Sequence, residues 1–203
     1  MRAVIFANGD LRQPEQVPGS LLPGDLLIAA DGGARHCNRL GLLPHYVIGD
    51  FDSLTQAELD QLSAQGVKII RFPERKDFTD LELALHLAQE LGCNPLLVYG
   101  ALGQRWDQTL ANLLLLASPR LKSTTIRLIE GHQEITLLQP GQPTTLAGQP
   151  GDTLSLIPLA GDAHGITTQG LEYPLHQETL HFGATRGVSN VLTGPEACIR
   201  FEQ

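Results

Sequence analysis

Gly49-Asp50-Phe51-Asp52-Ser53 carries two carboxylates two residues apart, directly after the short apolar run Tyr46 to Ile48. In extended backbone both would point to one side, about 7 Å apart at Cα, with Phe51 facing the other way. Such a pair suits one hard cation, and Mg²⁺ takes a few carboxylates, filling the rest of its shell with water and phosphate oxygens. Asp80, at the start of a predicted helix, offers a further acid, and acids without a histidine cluster favour Mg²⁺ over Zn²⁺. Lys76 and Arg105 are the cations available for phosphate charge, while Gly32, Gly33 and Gly103 let backbone N–H groups approach it closely. The chemistry these residue types suggest is the handling of a metal-bound phosphate.

The same residues follow predicted strands. Ala3 to Ala7, Leu26 to Ala30, Tyr46 to Ile48, Val67 to Phe72 and Leu96 to Tyr99 read as buried strands alternating with amphipathic segments, the pattern of a parallel α/β sheet. In such a sheet ligands gather outside the carboxyl ends of the strands. There the sequence reads Asp31-Gly32-Gly33, then Asp50-Phe51-Asp52, then Lys76-Asp77-Phe78-Thr79-Asp80, then Gly100 to Asp107. Each stretch alone has a plainer explanation. Asp31-Gly32 and Gly49-Asp50 suit ordinary turns, Thr79 to Glu82 a capping box with Asp80 favouring the helix dipole, and Arg105 with Asp107 a surface ion pair. Independent turns, however, have no reason to put acids after successive strands of one sheet. The histidines are scattered without ligand spacing, and Trp106 is expected to face the core.

The positioning elements carry their own signals. Thr55 with Glu58 and Thr79 with Glu82 are capping-box pairs, and Leu81, Ala84, Leu85, Ala88 and Leu91 share one helical face before the stop at Gly92. A third helix is predicted over Trp106 to Ala117. After Ser118-Pro119-Arg120 the pattern changes to short strand candidates at Thr124 to Ile129, Glu134 to Leu138, Thr153 to Ile157 and Ala197 to Phe201, with Pro140 to Gly151 read as a loop. The expected organisation is an α/β domain over residues 1–122 and a small all-β domain over 123–203.

The chain has 203 residues, 42% apolar and 18% charged, enough for two small cores, and a formal charge of -8. Neither half carries a basic field, which argues against nucleic acid and anionic membrane as partners, so phosphate charge would have to be met locally. Three widely spaced cysteines without a Cys-x-x-Cys pair argue against a disulfide framework or a zinc site, and a reducing, cytoplasmic setting is expected. No segment approaches membrane-spanning length and the N-terminus shows no charged leader, so a soluble, unprocessed protein is expected.

Four blocks, Asp31-Gly32-Gly33-Ala34, Gly49-Asp50-Phe51-Asp52-Ser53, Lys76-Asp77-x-Thr79-Asp80-x-Glu82 and Gly100-x-x-Gly103-x-Arg105-x-Asp107-x-x-x-x-Asn112, resemble in order and spacing those of thiamine pyrophosphokinases. The resemblance runs from about Val4 to Leu116 and resumes at Gly170-Leu171-x-Tyr173-Pro174-Leu175 and Gly187-Val188-Ser189-Asn190. It implies a Rossmann-like catalytic domain, a β-sandwich that binds thiamine and dimerises, and a homodimer with active sites between the catalytic domain of one subunit and the β-domain of the other. Carried over by position, Asp50, Asp52 and Asp80 resemble the Mg²⁺- and phosphate-binding acids. Asp31, Gly32, Gly33, Lys76, Asp77, Thr79, Arg105, Asp107 and Asn112 match positions lining the ATP site, and Ser189, Asn190 and Gln108 are assigned to thiamine. Gln108 stands where many bacterial members have His. The tail Val191-Leu192-Thr193-Gly194 offers no aromatic to stack on the thiamine ring.

The implied activity is Mg²⁺-dependent transfer of the diphosphate of ATP to the thiamine hydroxyl, giving thiamine diphosphate and AMP, mainly by positioning and charge neutralisation. Asp80 or Asp77 is the candidate acceptor of the hydroxyl proton. Rival readings are a diphosphokinase for another alcohol, such as a hydroxymethylpterin, and a non-catalytic nucleotide- or thiamine-sensing module. Intact acids weigh against the sensor, and no P-loop sequence is present. For the dimer, Ile126, Leu128, Leu154 and Leu156 are candidate apolar surface, though alternating strands look the same when they face their own core.

Overall fold

Parallel strands covered on both faces need apolar side chains at every position, which is why the strands of the first half show no alternation. The computed structural model describes residues 1–103 and 105–203. β1 (Ala3–Phe6) is buried throughout and pairs in parallel with β2 (Leu26–Ala30) on one side and β5 (Leu96–Tyr99) on the other. With β3 (Tyr46–Gly49), β4 (Lys68–Arg71), β6 (Ile126–Glu130) and β7 (Gln133–Thr136), the sheet has the order β4-β3-β2-β1-β5-β6-β7, and β7 joins it antiparallel. Side chains alternate between two cores. Ala3, Ile5, Ile28, Leu96 and Val98 meet Leu81, Ala84, Leu85 and Ala88 of α4 (Asp80–Glu90). Val4, Phe6, Val47 and Leu97 meet Val17 of α1 (Val17–Ser20), Cys37 of α2 (Gly33–Arg39) and Leu59 of α3 (Gln56–Ala64).

The two expected capping boxes form to different extents. At α3 the box is reciprocal: Glu58 N donates to Thr55 Oγ1 at 3.3 Å and Thr55 N donates to Glu58 Oε2 at 2.7 Å. At α4, Thr79 accepts from Glu82 N at 3.2 Å, but the Glu82 carboxylate lies 3.9 Å from His86 Nε2, so only the Thr79 half forms. Leu91, expected on the buried face of α4, is exposed at the helix end. α5 (Trp106–Leu115) carries Asp107, Gln108 and Thr109 in its first turn and then Leu110, Leu113, Leu114 and Leu115. Trp106, expected in the core, is 83% exposed and shares an outward stripe with Leu110 and Leu114, while Asn112 turns inward.

The division expected after residue 122 lies further on. Ile126 and Leu128 of β6 sit beside Leu96 and Val98 of β5 in the α4-side core, so β6 and β7 extend the parallel sheet instead of opening a β-domain. The compact units are Met1–Leu137 and Leu138–Gln203. The second unit holds β8 (Thr144–Ala147), β9 (Thr153–Leu154), β10 (Ala163–Gln169), β11 (Glu178–Leu180), β12 (Asn190–Val191) and β13 (Glu196–Arg200). They form an antiparallel sheet β11-β10-β13-β8 and a two-stranded ribbon β12-β9, around Leu154, Leu171, Leu192, Ala197 and Ile199. β8 falls inside the stretch read as a loop, because pairing with β13 organises it despite its flanking glycines and prolines. Ile126, Leu128 and Leu154, candidates for a dimer surface, are buried in the chain's own cores. Among the described residues no helix is long and apolar enough to cross a membrane.

Candidate active site

The carboxyl ends of β2, β3 and β4 and the start of α4 converge on one acidic cluster. β2 runs into Asp31, which is buried and held at φ 45. β3 ends at Gly49, where a Cβ would lie 3.1 Å from both Asp31 Cβ and Asp80 Oδ1, so the absent side chain is what lets those two acids approach. Phe51 is left-handed, with φ 66, instead of extended. Asp50 and Asp52 therefore meet across a turn, in which Asp52 N donates to Asp50 Oδ1 at 3.2 Å, and not by strand alternation. Asp31, Asp50 and Asp52 each place a carboxylate oxygen within 4.8 Å of the others. Ser53 Oγ donates to Asp52 Oδ1 at 3.0 Å and accepts from Asn8 Nδ2 at 3.1 Å, which ties this turn to the loop after β1.

Lys76 enters between the acids. Its Nζ donates to Asp50 Oδ2 at 2.6 Å and lies 2.9 Å from Asp80 Oδ1, off the direction of a hydrogen bond, so Asp80 gains the charge without a directed contact. The Lys76 bond holds Asp50 below the ordinary carboxylate range. Burial raises Asp31, with Asp52 and Asp50 adding repulsion, and burial likewise raises Asp80. Burial opposes the charge on Lys76, but its bond to Asp50 and the nearby Asp80 carboxylate outweigh this and raise its pKa. Among the described residues, Asp31 Oδ1 is buried without a hydrogen-bond partner. Asp31, Asp50 and Asp52, with Asp50 and Asp80 flanking the Lys76 ammonium, offer only oxygen donors, which fit a hard divalent cation.

The remaining predicted residues separate. Gly32 and Gly33 serve packing: a Cβ would fall 2.2 Å from Asn8 Oδ1 at the first and 1.9 Å from Phe6 O at the second. Thr79 caps α4, and Asp77 is exposed. Asn112 is buried and donates to Ala101 O at 2.6 Å, pinning the loop after β5. Arg105 and Asp107 are exposed and pair with each other at 2.6 Å, while Gln108 is exposed on α5. Asn8, Ser53 and Arg71 were not singled out from sequence. The strand-end rule, applied to β1 as to the others, would have pointed to Asn8, whereas Arg71 lies inside the predicted strand Val67 to Phe72 and gave no such signal.

In the second unit, Asn190 grips Tyr173 twice through its backbone, accepting from Tyr173 N at 3.1 Å and donating to Tyr173 O at 2.7 Å. Ser189, with φ 62, donates its N–H to Ser155 Oγ at 3.0 Å. Beside them lies a cavity of about 310 Å³ bordered by Leu156, Tyr173, Leu175, Arg186 and Asn190. Tyr173, one of the residues bordering this cavity, is 64% exposed.

Residues 22–128 match the sequence family described as Thiamin pyrophosphokinase, catalytic domain, and residues 142–203 match Thiamin pyrophosphokinase, vitamin B1 binding domain. The chain is 32% identical over 188 residues to a thiamine pyrophosphokinase of Bacillus subtilis, covering 93% of this chain and 88% of that protein. It is 30% identical over 214 residues to thiamine pyrophosphokinase 2 of Arabidopsis thaliana, covering 94% and 79%. A crystal structure of thiamine pyrophosphokinase from Bacillus subtilis superposes with a TM-score of 0.88 at 28% identity, over 100% of this chain and 95% of that one. With both sequence families matched in order and more than three quarters of each of these relatives covered, the chain belongs to the thiamine pyrophosphokinase family.

Proposed function

We propose that the chain binds ATP and thiamine and, with Mg²⁺, moves the terminal diphosphate of ATP onto the hydroxyethyl oxygen of thiamine. That oxygen forms a bond to the β-phosphorus, the bond from the β-phosphorus to the α–β bridging oxygen breaks, and AMP leaves with that oxygen. The observation that carries this reading is the cluster of Asp31, Asp50 and Asp52, with Lys76 bonded to Asp50. Asp50, Asp52 and Asp80, with Asp31 beside them, would hold Mg²⁺, which when bound supplies positive charge for the phosphate oxygens. Lys76 adds a fixed cation at the same place. Asp80 or Asp77 would accept the hydroxyl proton, Asp77 being the one left free of the metal in this reading. Asp31, Thr79, Arg105, Asp107 and Asn112 border the nucleotide in this reading, with Thr79 and Asn112 acting through the backbone they fix.

Thiamine is assigned to Ser189, Asn190 and Gln108, and to the Tyr173 ring, whose face suits a cationic thiazolium. The reading includes a cytoplasmic homodimer. Its support is apolar surface left uncovered by a single chain, at Trp106, Leu110 and Leu114 on α5 and at Ile157 and Phe182 in the second unit. The test is turnover of purified protein with ATP, Mg²⁺ and thiamine, beside a hydroxymethylpterin. Thiamine diphosphate and AMP in equal amounts are expected. Product with the pterin alone would overturn the substrate, and nucleotide binding without product would overturn catalysis.

A further inference from the structure

The turn between Asp50 and Asp52 holds a bulky residue in a conformation bulky residues seldom adopt. Phe51 is buried with φ 66, and a left-handed non-glycine residue persists only where its surroundings hold it. The bond from Asp52 N to Asp50 Oδ1 closes the turn but does not touch the ring. The parallel register of β3 with β4 sets Arg71 beside Gly49. From there the Arg71 guanidinium covers the Phe51 ring, 4.8 Å from its centroid, and Nη1 donates to Asp50 O at 3.1 Å. One side chain thus grips both the backbone of the first acid and the residue that separates it from the second. Lys76 meanwhile takes the Asp50 carboxylate, so the two cations divide the work: one sets the charge and the other the backbone.

We propose that Arg71 is a positioning residue, which locks the Asp50-Phe51-Asp52 turn so that both carboxylates stay grouped with Asp31. The proposal rests on reading the cluster as a divalent cation site, and its test reads the metal directly. Mn²⁺ is titrated into the nucleotide-free protein and its free fraction followed by electron paramagnetic resonance, for wild type, Arg71→Ala and Arg71→Lys, alongside kinetics and thermal melts. Arg71→Ala is expected to weaken Mn²⁺ binding by about 10- to 100-fold and to lower kcat with KM for thiamine unchanged. Lys can still donate to Asp50 O and sit over the ring, so Arg71→Lys should recover part of the metal affinity. A lowered melting temperature with unchanged Mn²⁺ affinity would reduce Arg71 to a structural role and overturn the proposal. A raised KM for ATP with unchanged Mn²⁺ affinity would overturn it too, making Arg71 a phosphate contact. Should Arg71→Ala not fold, Phe51→Leu removes the ring and keeps the apolar burial, and unchanged Mn²⁺ affinity in that variant has the same overturning force. Wild-type protein that binds no Mn²⁺ removes the metal reading along with this one, whereas Mn²⁺ binding indifferent to Arg71→Ala removes only this one.

Discussion

Asp50 has two tasks at the residue scale: its Oδ2 takes the Lys76 ammonium and its Oδ1 closes the turn to Asp52. Asparagine can keep the second but carries no charge for the first. Asp50→Asn is therefore expected to lower turnover by at least about 100-fold with an unchanged circular dichroism spectrum, and wild-type turnover in this variant would count against the metal assignment. In the proposed reading, Tyr173 would serve the thiamine side of the reaction. Its backbone is fixed by Asn190 while its ring stays open, so removing the ring should cost binding and leave the phosphate chemistry alone. For Tyr173→Ala the expected change is a rise in KM for thiamine of about 2- to 30-fold, equivalent to about 0.5–2 kcal/mol of cation–π contact, with KM for ATP unaltered. An equal loss for both substrates would assign Tyr173 to folding instead. The acids were readable from their types and spacing. The aromatic was not, because Tyr173 reaches the segment of Ser189 and Asn190 only through a contact between residues far apart in sequence.

At the scale of elements, helix caps test how far local sequence carries the fold. The α3 box is complete, so Thr55→Ala should cost about 1 kcal/mol, or about 2–4 °C in Tm for a chain of this size. Glu58 adds a pH-dependent part. The Arg35 guanidinium, then the bonds from Thr55, hold its carboxyl down to about 2. A depressed carboxyl contributes stability above its unfolded value, near about 4.3, and loses it as pH falls through the folded one. Glutamine keeps the box but not the charge. The Tm difference between wild type and Glu58→Gln should therefore be present at pH 7 and close between about pH 5 and pH 2, and a gap that persists at pH 2 would contradict the assignment. The effect should be small, since the pair is open to solvent. Capping pairs are legible because they lie within four residues. β6, β7 and β8 were misassigned to domain or to loop because strand membership depends on a partner: β6 on β5, β7 on β6 and β8 on β13.

For the whole molecule, the exposed stripe of α5 is the feature that a single chain leaves unexplained. A homodimer covering Trp106 is expected to run at twice the chain mass of 22.0 kDa in light scattering, and Trp106→Glu should shift it toward one chain mass. A wild-type protein at one chain mass would overturn the dimer. Sequence alone determined the parallel α/β core, since strands buried on both faces must be apolar throughout, and it determined which strand ends carry the acids, since those ends are where a parallel sheet opens to ligand. Tertiary structure decided the rest. Gly49 leaves room between Asp31 and Asp80, the two acids of the turn meet because Phe51 is left-handed under Arg71, and packing leaves Trp106 facing outward while Asn112 turns inward. Each of these outcomes depends on contacts between segments distant in the chain, and residue type and spacing record only what neighbours in sequence can do to one another.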